Sequence, residues 1–190
     1  APPTFTTAPL NTSSGAPAIA RRPAKWERYA HTMNDIKWSD ADDAELAFSS
    51  LEDGHPATVA QTFLHYLPNI PEAVDELRLL TYSAPTDGWG DFSEVLALLG
   101  ENPSVSMNAQ RPEGAGHLAY LKVVDGVEGV LPGNSVQATA WFALIWVPEH
   151  GAWEILTLGE RVPPSLIPFA GNGSAPRYKN DVAITVTLAD

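Results

Sequence analysis

The stretch "TAWFALIWVPEHGAWEILTLGERVPP", residues 139–164, decides how this chain is read. It carries Trp141, Phe142, Trp146 and Trp153 in an apolar run broken only by Pro148-Glu-His-Gly151. "NSVQATAWFALIWV" (134–147) is rich in β-formers and apolar on both faces from Ala140 onward. "AWEILTL" (152–158) follows after a four-residue connection, so 136–158 predicts a β-hairpin. A strand that is apolar on both faces must be covered on both. The aromatic residues are therefore core, the floor of a ligand pocket, or a surface buried between subunits.

Composition narrows the class. A chain of 190 residues suits one domain with a real core. Hydrophobic content of 44% against 18% charged indicates a globular protein with few charges to solvate its surface. Seventeen prolines favour loops, extended arms and short strands over long helices. The net charge of −12 disfavours a generic nucleic-acid binder. The absence of cysteine removes disulfides and thiolate chemistry. No apolar run reaches the roughly 18 residues of a membrane span, so no membrane partner is expected.

The charge is unevenly placed. Residues 1–25 are rich in Pro, Ala, Thr and Ser and carry Arg21, Arg22 and Lys25 without an acid. They predict an extended arm ahead of a single globular domain at 26–190, because such a segment alone cannot bury enough apolar area to offset its ordering entropy. Between residues 35 and 53 stand Asp35, Asp40, Asp42, Asp43, Glu45, Glu52 and Asp53 against Lys37 alone. This acidic run lacks the Gly and distal Glu of a calcium loop.

The remaining elements follow from periodicity and punctuation. "SDADDAELAFSSL" (39–51) reads equally as helix or strand. "ATVAQTFLHYL" (57–67) sets Val59, Phe63, Tyr66 and Leu67 at helical spacing between Pro56 and Pro68. "PEAVDELRLL" (71–80) opens like a helix, although 77–82 also alternates like a strand. "DFSEVLALL" (91–99) predicts a short helix with Asp91 as cap and Gly100 as stop. Strands are predicted over 104–110, 117–124, 164–169 and 181–189. The last places Val182, Ile184, Val186 and Leu188 on one face. The expected fold class is mainly β with short helices.

No catalytic signature emerges. His31, His55, His65, His117 and His150 are dispersed, without the spacing of a zinc motif. No nucleophile elbow occurs, and "GNGS" (171–174) reads as a turn rather than a phosphate loop. Neither enzymatic activity, metal nor cofactor is expected.

Two resemblances cover larger parts of the chain. "VPPSLIPFAGNGSAPRYKNDVAITVTLAD" (162–190) resembles the last two strands of single jelly-roll coat proteins of small icosahedral plus-strand RNA viruses. "DDAELAFSSLEDGHPATVAQTFLHYLPNIPEAVDELRLLTYSAPT" (42–86) is similar to the early strands, helix and Pro-rich turn of tymovirus-like members. That resemblance implies an antiparallel jelly-roll sandwich and a capsid subunit that self-assembles into an icosahedral shell. Its partners would be many copies of itself and a viral nucleic acid, and its location the virion. Arg21, Arg22 and Lys25 would then contact nucleic acid or a neighbour, and Trp141, Phe142, Trp146 and Trp153 would sit at subunit interfaces. Alternatively, "SVQATAWFALIWVPEHGAWEILTL" (135–158) and "DFSEVLALLGENPSVSMN" (91–108) resemble the long hairpin and helix-to-strand entry of nuclear-transport-factor-like α+β cones. That implies a secreted or cytosolic protein binding an apolar small molecule, with the same aromatics lining a pocket and His117, Glu154 or Asp91 as polar groups. A cone fold alone does not assign an activity.

Overall fold

A computed structural model describes residues 36–38, 51–82, 89–125, 138–167 and 174–188. The expected arm with Arg21, Arg22 and Lys25, the ambiguous 39–50 stretch and the turns at 85–88 and 171–173 lie outside the described residues. Within them the order is β1 (Ile36–Trp38), α1 (Pro56–Tyr66), α2 (Val74–Leu80), α3 (Ser93–Leu98), β2 (Pro103–Val105), β3 (Gln110–Pro112), β4 (Leu118–Asp125), β5 (Ala140–Val147), β6 (Ala152–Gly159), β7 (Val182–Ile184) and β8 (Val186–Leu188). The chain is mainly β with short helices, as its patterning predicts.

The predicted hairpin forms over 140–159; residues 136–137 lie outside the described residues. β5 and β6 pair antiparallel, with Trp146 opposite Trp153 and Val147 opposite Ala152 around the 148–151 connection. This pair continues into a six-stranded mixed sheet of order β6-β5-β4-β3-β7, with β2 also beside β4. Both faces of the hairpin are covered. On one face Phe142, Leu144, Trp153, Ile155 and Leu158 meet Ala57, Ala60, Phe63, Leu77, Phe92 and Val95 from the helices. On the other, Tyr120, Ala143, Ile145 and Leu156 meet Val162, Ile167 and Ile184, with Trp38 and Val186 against them. The register between β5 and β6 shifts at Ala143/Leu144, leaving Leu156 as an extra residue. Such a bulge bends its strand. Here it lets Ile155 and Leu158 point to the helix face and Leu156 away from it.

Of these three helices only α1 begins with a side-chain cap. His55 Nδ1 accepts from Ala57 N at 3.0 Å and Pro56 occupies the first helical turn of α1. A 3-10 turn at Leu67–Asn69 takes over where Pro68 enters. In α2, Asp75 and Glu76 stand in the first turn and Arg78 in the last, matching the helix dipole. The competing strand reading survives only at Thr81, which bridges Ile155. Asp91 Oδ1 accepts from Ser93 N at 3.1 Å and from Ser93 Oγ at 2.6 Å, tying the start of α3. Between them Phe92 adopts φ 65°, unusual for a non-glycine residue. Complete burial of its ring against Phe63 and Trp89 holds it there.

Three sequence expectations need correction. The predicted strand at 104–110 splits into β2 and β3, interrupted at 106–109. The predicted strand at 164–169 is a 3-10 turn at Pro164–Leu166, in which Leu166 N donates to Pro163 O and Ile167 N to Pro164 O. Adjacent prolines cannot donate to a ladder but fit a turn's start. The predicted strand at 181–189 breaks at Thr185. β7 runs parallel to β3, whereas β8 pairs antiparallel with β1. Alternation gives the faces correctly, with Val182, Ile184 and Val186 inward. It carries no information about partners.

Phe63 is fully buried and its ring meets those of Phe92, Phe142 and Trp89. Phe63→Ala is expected to lower unfolding free energy by about 3–5 kcal/mol in urea titrations. Leu79, 82% exposed on α2, provides the control, and Leu79→Ala should shift stability by no more than about 0.5 kcal/mol.

Candidate functional site

Arg111 and Trp153 meet across the helix face of the sheet. β3 and β6 are separated by two intervening strands, a distance of about 14 Å across a flat sheet at roughly 4.8 Å per step. The Arg111 guanidinium on β3 lies 4.7 Å from the centre of the Trp153 indole on β6. The two long side chains therefore lean toward each other over β4 and β5 and bridge that span. The bulge at Leu156 bends β6.

Arg111 is 1% exposed and makes four directed hydrogen bonds. Nε donates to Leu118 O at 3.0 Å. Nη1 donates to Pro176 O and to Asp181 Oδ2, each at 3.0 Å. Nη2 donates to Gly116 O. Burial pulls the guanidinium below its ordinary value, and the Asp181 carboxylate opposes that pull. Asp181 Oδ2 also accepts from Tyr178 N at 2.9 Å. The segment around 176–181 is thereby fastened to β3.

Tyr178 closes the arrangement. Its hydroxyl donates to Gly54 O at 2.7 Å and accepts from Trp153 Nε1 at 3.3 Å. Its ring stands edge-on to His55, 4.8 Å between centroids. Burial raises its phenol pKa, which keeps the hydroxyl a donor. Nearby, Lys179 N donates to Glu52 Oε2 at 2.9 Å. His55 is 1% exposed, and burial holds its imidazole below the ordinary value against the pull of Asp181 and Glu52. Because Nδ1 accepts from Ala57 N, the neutral ring carries its proton on Nε2. Among the described residues that Nε2 and Asp181 Oδ1, both buried, have no hydrogen-bond partner.

The aromatics singled out from sequence divide between the faces. Phe142 is fully buried among helix residues. Trp146 and Trp153 pack edge-to-face at 5.6 Å on the same side. Trp141 faces the opposite way, and Arg161 lies over it at 4.1 Å while also lying 4.0 Å from the centre of Trp38. Arg161 donates from there to Gln110 Oε1 at 2.8 Å, and Lys122 approaches Trp141 at 5.9 Å. The polar candidates do not converge. Asp91 stands at the surface one residue ahead of Phe92, which holds the N-cap position of α3 in place of the expected Asp91, and Ser93 holds the Asp91 carboxyl below the ordinary value. Glu154 pairs with His150 on the hairpin, and His117 lies where its carbonyl accepts from Trp146 N.

The residues that do converge were missed by sequence reasoning, apart from Trp153. The available signals were small: an arginine between buried strand positions, and an aspartate just ahead of the terminal alternating run. Among the described residues no group of His, Asp or Glu is arranged to hold a metal, and no helix is long and apolar enough to cross a membrane. Comparisons with family models, curated proteins and solved structures return no match.

Two outcomes follow from this geometry. Asp181→Asn leaves the buried guanidinium without its counter-charge and should cost about 3–5 kcal/mol in urea unfolding. The exposed pair of Arg78 and Asp75 gives the contrast, and Asp75→Asn should leave the midpoint in place. His55 adds a pH dependence. The unfolded chain takes up the proton as pH falls through the ordinary value of 6.5, and the folded chain does so only at lower pH. This contribution is intact above that value and is lost on acidification below it. His55→Asn keeps a capping oxygen but cannot titrate, so its stability should fall less than wild type between neutral pH and pH about 5.

Proposed function

We propose that this chain is an α+β module of the cone type that takes an apolar small molecule between its helices and the concave face of its sheet. The packing of the three helices on one face of the antiparallel β4-β5-β6 sheet supports this reading, and the contact of Arg111 with Trp153 across two intervening strands agrees with a sheet that curls around the helix side. The layer between helices and sheet is aromatic: Phe63, Phe92 and Phe142 are fully buried, and half-buried Trp89 and Trp146 beside them offer the accessible aromatic surface. Apolar walls with a few placed polar groups are what a small-molecule site needs. Native mass spectrometry and light scattering of the purified protein test the reading. One or two chains in solution, carrying an extractable apolar compound at about one per chain, are expected.

A second reading, the coat subunit with a jelly-roll sandwich, has its own supporting observation. The β1–β8 pair lies over the face opposite the helices, so strands cover strands there, as in sheet-on-sheet packing. In that case Trp141 and the arm residues Arg21, Arg22 and Lys25 would serve assembly around a viral nucleic acid, and the protein would reside in the virion. The same scattering experiment separates the two. Uniform particles of dozens of chains, containing nucleic acid by absorbance, would overturn the small-molecule reading in favour of the shell.

A further inference from the structure

The turn ahead of α1 carries a reactive pair of residues among a set of anchors. Glu52-Asp53-Gly54-His55 is closed by His55 N, which donates to Glu52 O at 3.1 Å. Gly54 takes φ 74°, a left-handed value that glycine adopts without steric cost. Asp53 and Gly54 are both exposed. Among the described residues neither the Asp53 carboxylate nor the Gly54 N–H is engaged in a hydrogen bond. Their neighbours are tied to one short segment. Glu52 Oε2 accepts from Lys179 N at 2.9 Å, Gly54 O accepts from the Tyr178 hydroxyl at 2.7 Å, and the His55 ring stands against that of Tyr178. The chain also holds Asp87-Gly88, Asp125-Gly126 and Asn172-Gly173, but only Asp53-Gly54 lies wholly within the described residues.

We propose that Asp53-Gly54 is a site of spontaneous aspartate isomerisation in the folded protein, and that the isoaspartate formed there loosens the 176–181 segment. The reacting atoms are joined by the chain itself, so no separate groups have to approach. The Gly54 nitrogen, losing its proton, attacks Cγ of the protonated Asp53 carboxyl. A C–N bond forms, a C–O bond breaks and one water leaves, giving a cyclic succinimide. Water then adds to one of the two ring carbonyls. Addition at Cγ restores aspartate. Addition at the former main-chain carbonyl breaks its bond to the Gly54 nitrogen, which stays attached to Cγ. One water is released and one is consumed, so the composition is unchanged and no other reagent takes part. The main chain now runs through Cβ and Cγ, and the old main-chain carbonyl has become a free carboxylate. The added backbone atom lies between Glu52 and Gly54, whose partners Lys179 and Tyr178 remain adjacent, so the two anchors fall out of register. This site is independent of the small-molecule reading.

Ageing the purified full chain at neutral pH and body temperature tests it. Trypsin releases residues 38–78 as one peptide, in which Asp53 is the only aspartate followed by glycine. Electron-transfer fragmentation of that peptide distinguishes isoaspartate from aspartate. Isoaspartate is expected to accumulate at Asp53, and the Tyr178 and Lys179 amides should lose protection from hydrogen–deuterium exchange relative to a fresh sample. Asp53→Glu is the control. It keeps the charge at an exposed position, closes the larger ring far more slowly, and leaves the other Asp-Gly and Asn-Gly pairs to age as in the wild type. Its amides at 178 and 179 should keep their protection. A parallel wild-type sample in urea gives the rate for the unfolded chain. Isoaspartate at Asp53 in urea but none in the folded chain over the same period would overturn the site. Isoaspartate in the folded chain without loss of protection, or equal loss in Asp53→Glu, would overturn the loosening.

Discussion

Arg111 brings a full positive charge to a position that is 1% exposed, and much of the architecture can be understood as the means of keeping it there. Desolvating a guanidinium costs several kcal/mol, recovered only if a counter-charge and directed acceptors surround it. The surroundings come from separate parts of the chain: carbonyls of Gly116 and Leu118 at the entry to β4, the carbonyl of Pro176, the carboxylate of Asp181 and the ring of Trp153. One side chain therefore fixes the seat of the 176–181 segment and, through Tyr178, the covering of His55. Hydrophobic burial supplies the driving force for folding, but it is non-directional. The directed contacts of Arg111 select which strands lie together at this end.

Small residues on α1 make the close approach possible. Ala57 and Ala60 are fully buried, and with no side chain beyond Cβ they let the helix lie near β2 and β6. The larger Phe63 then fills the widening space one turn on, meeting Phe92 and Phe142 edge-to-face. Edge-to-face aromatic packing fixes ring orientation as well as volume. This gradient from alanine to phenylalanine along one helix suits a sheet that curves.

The parts legible in sequence were those governed by local rules. The hairpin at 136–158 announced itself through β-rich apolar runs separated by a four-residue connection, and α1 through the spacing of Phe63 and Leu67 between two prolines. The alternation of Val182, Ile184 and Val186 named the inward face. What stayed hidden was non-local. Nothing at Thr185 marks a change of partner from β3 to β1, since both halves keep one period. His55 looked like any of five scattered histidines, and its importance comes from Tyr178 and Asp181, more than a hundred residues along the chain. The bulge at Leu156 likewise depends on the register of β5, which "WEILTL" does not encode by itself.

Trp38 sits at the end of β1 with its ring against Tyr120 and the Arg161 guanidinium, and β1 itself supplies the hydrogen-bonding partner of β8. Three residues thus shield both a sheet edge and an aromatic–cation stack. If trimming by a protease removed them, β8 would present bare backbone donors and acceptors beside an uncovered Trp141. Open strand edges next to apolar surface recruit other chains. The short N-terminal strand accordingly acts as a guard of colloidal stability, and losing it would be felt first as stickiness rather than as unfolding.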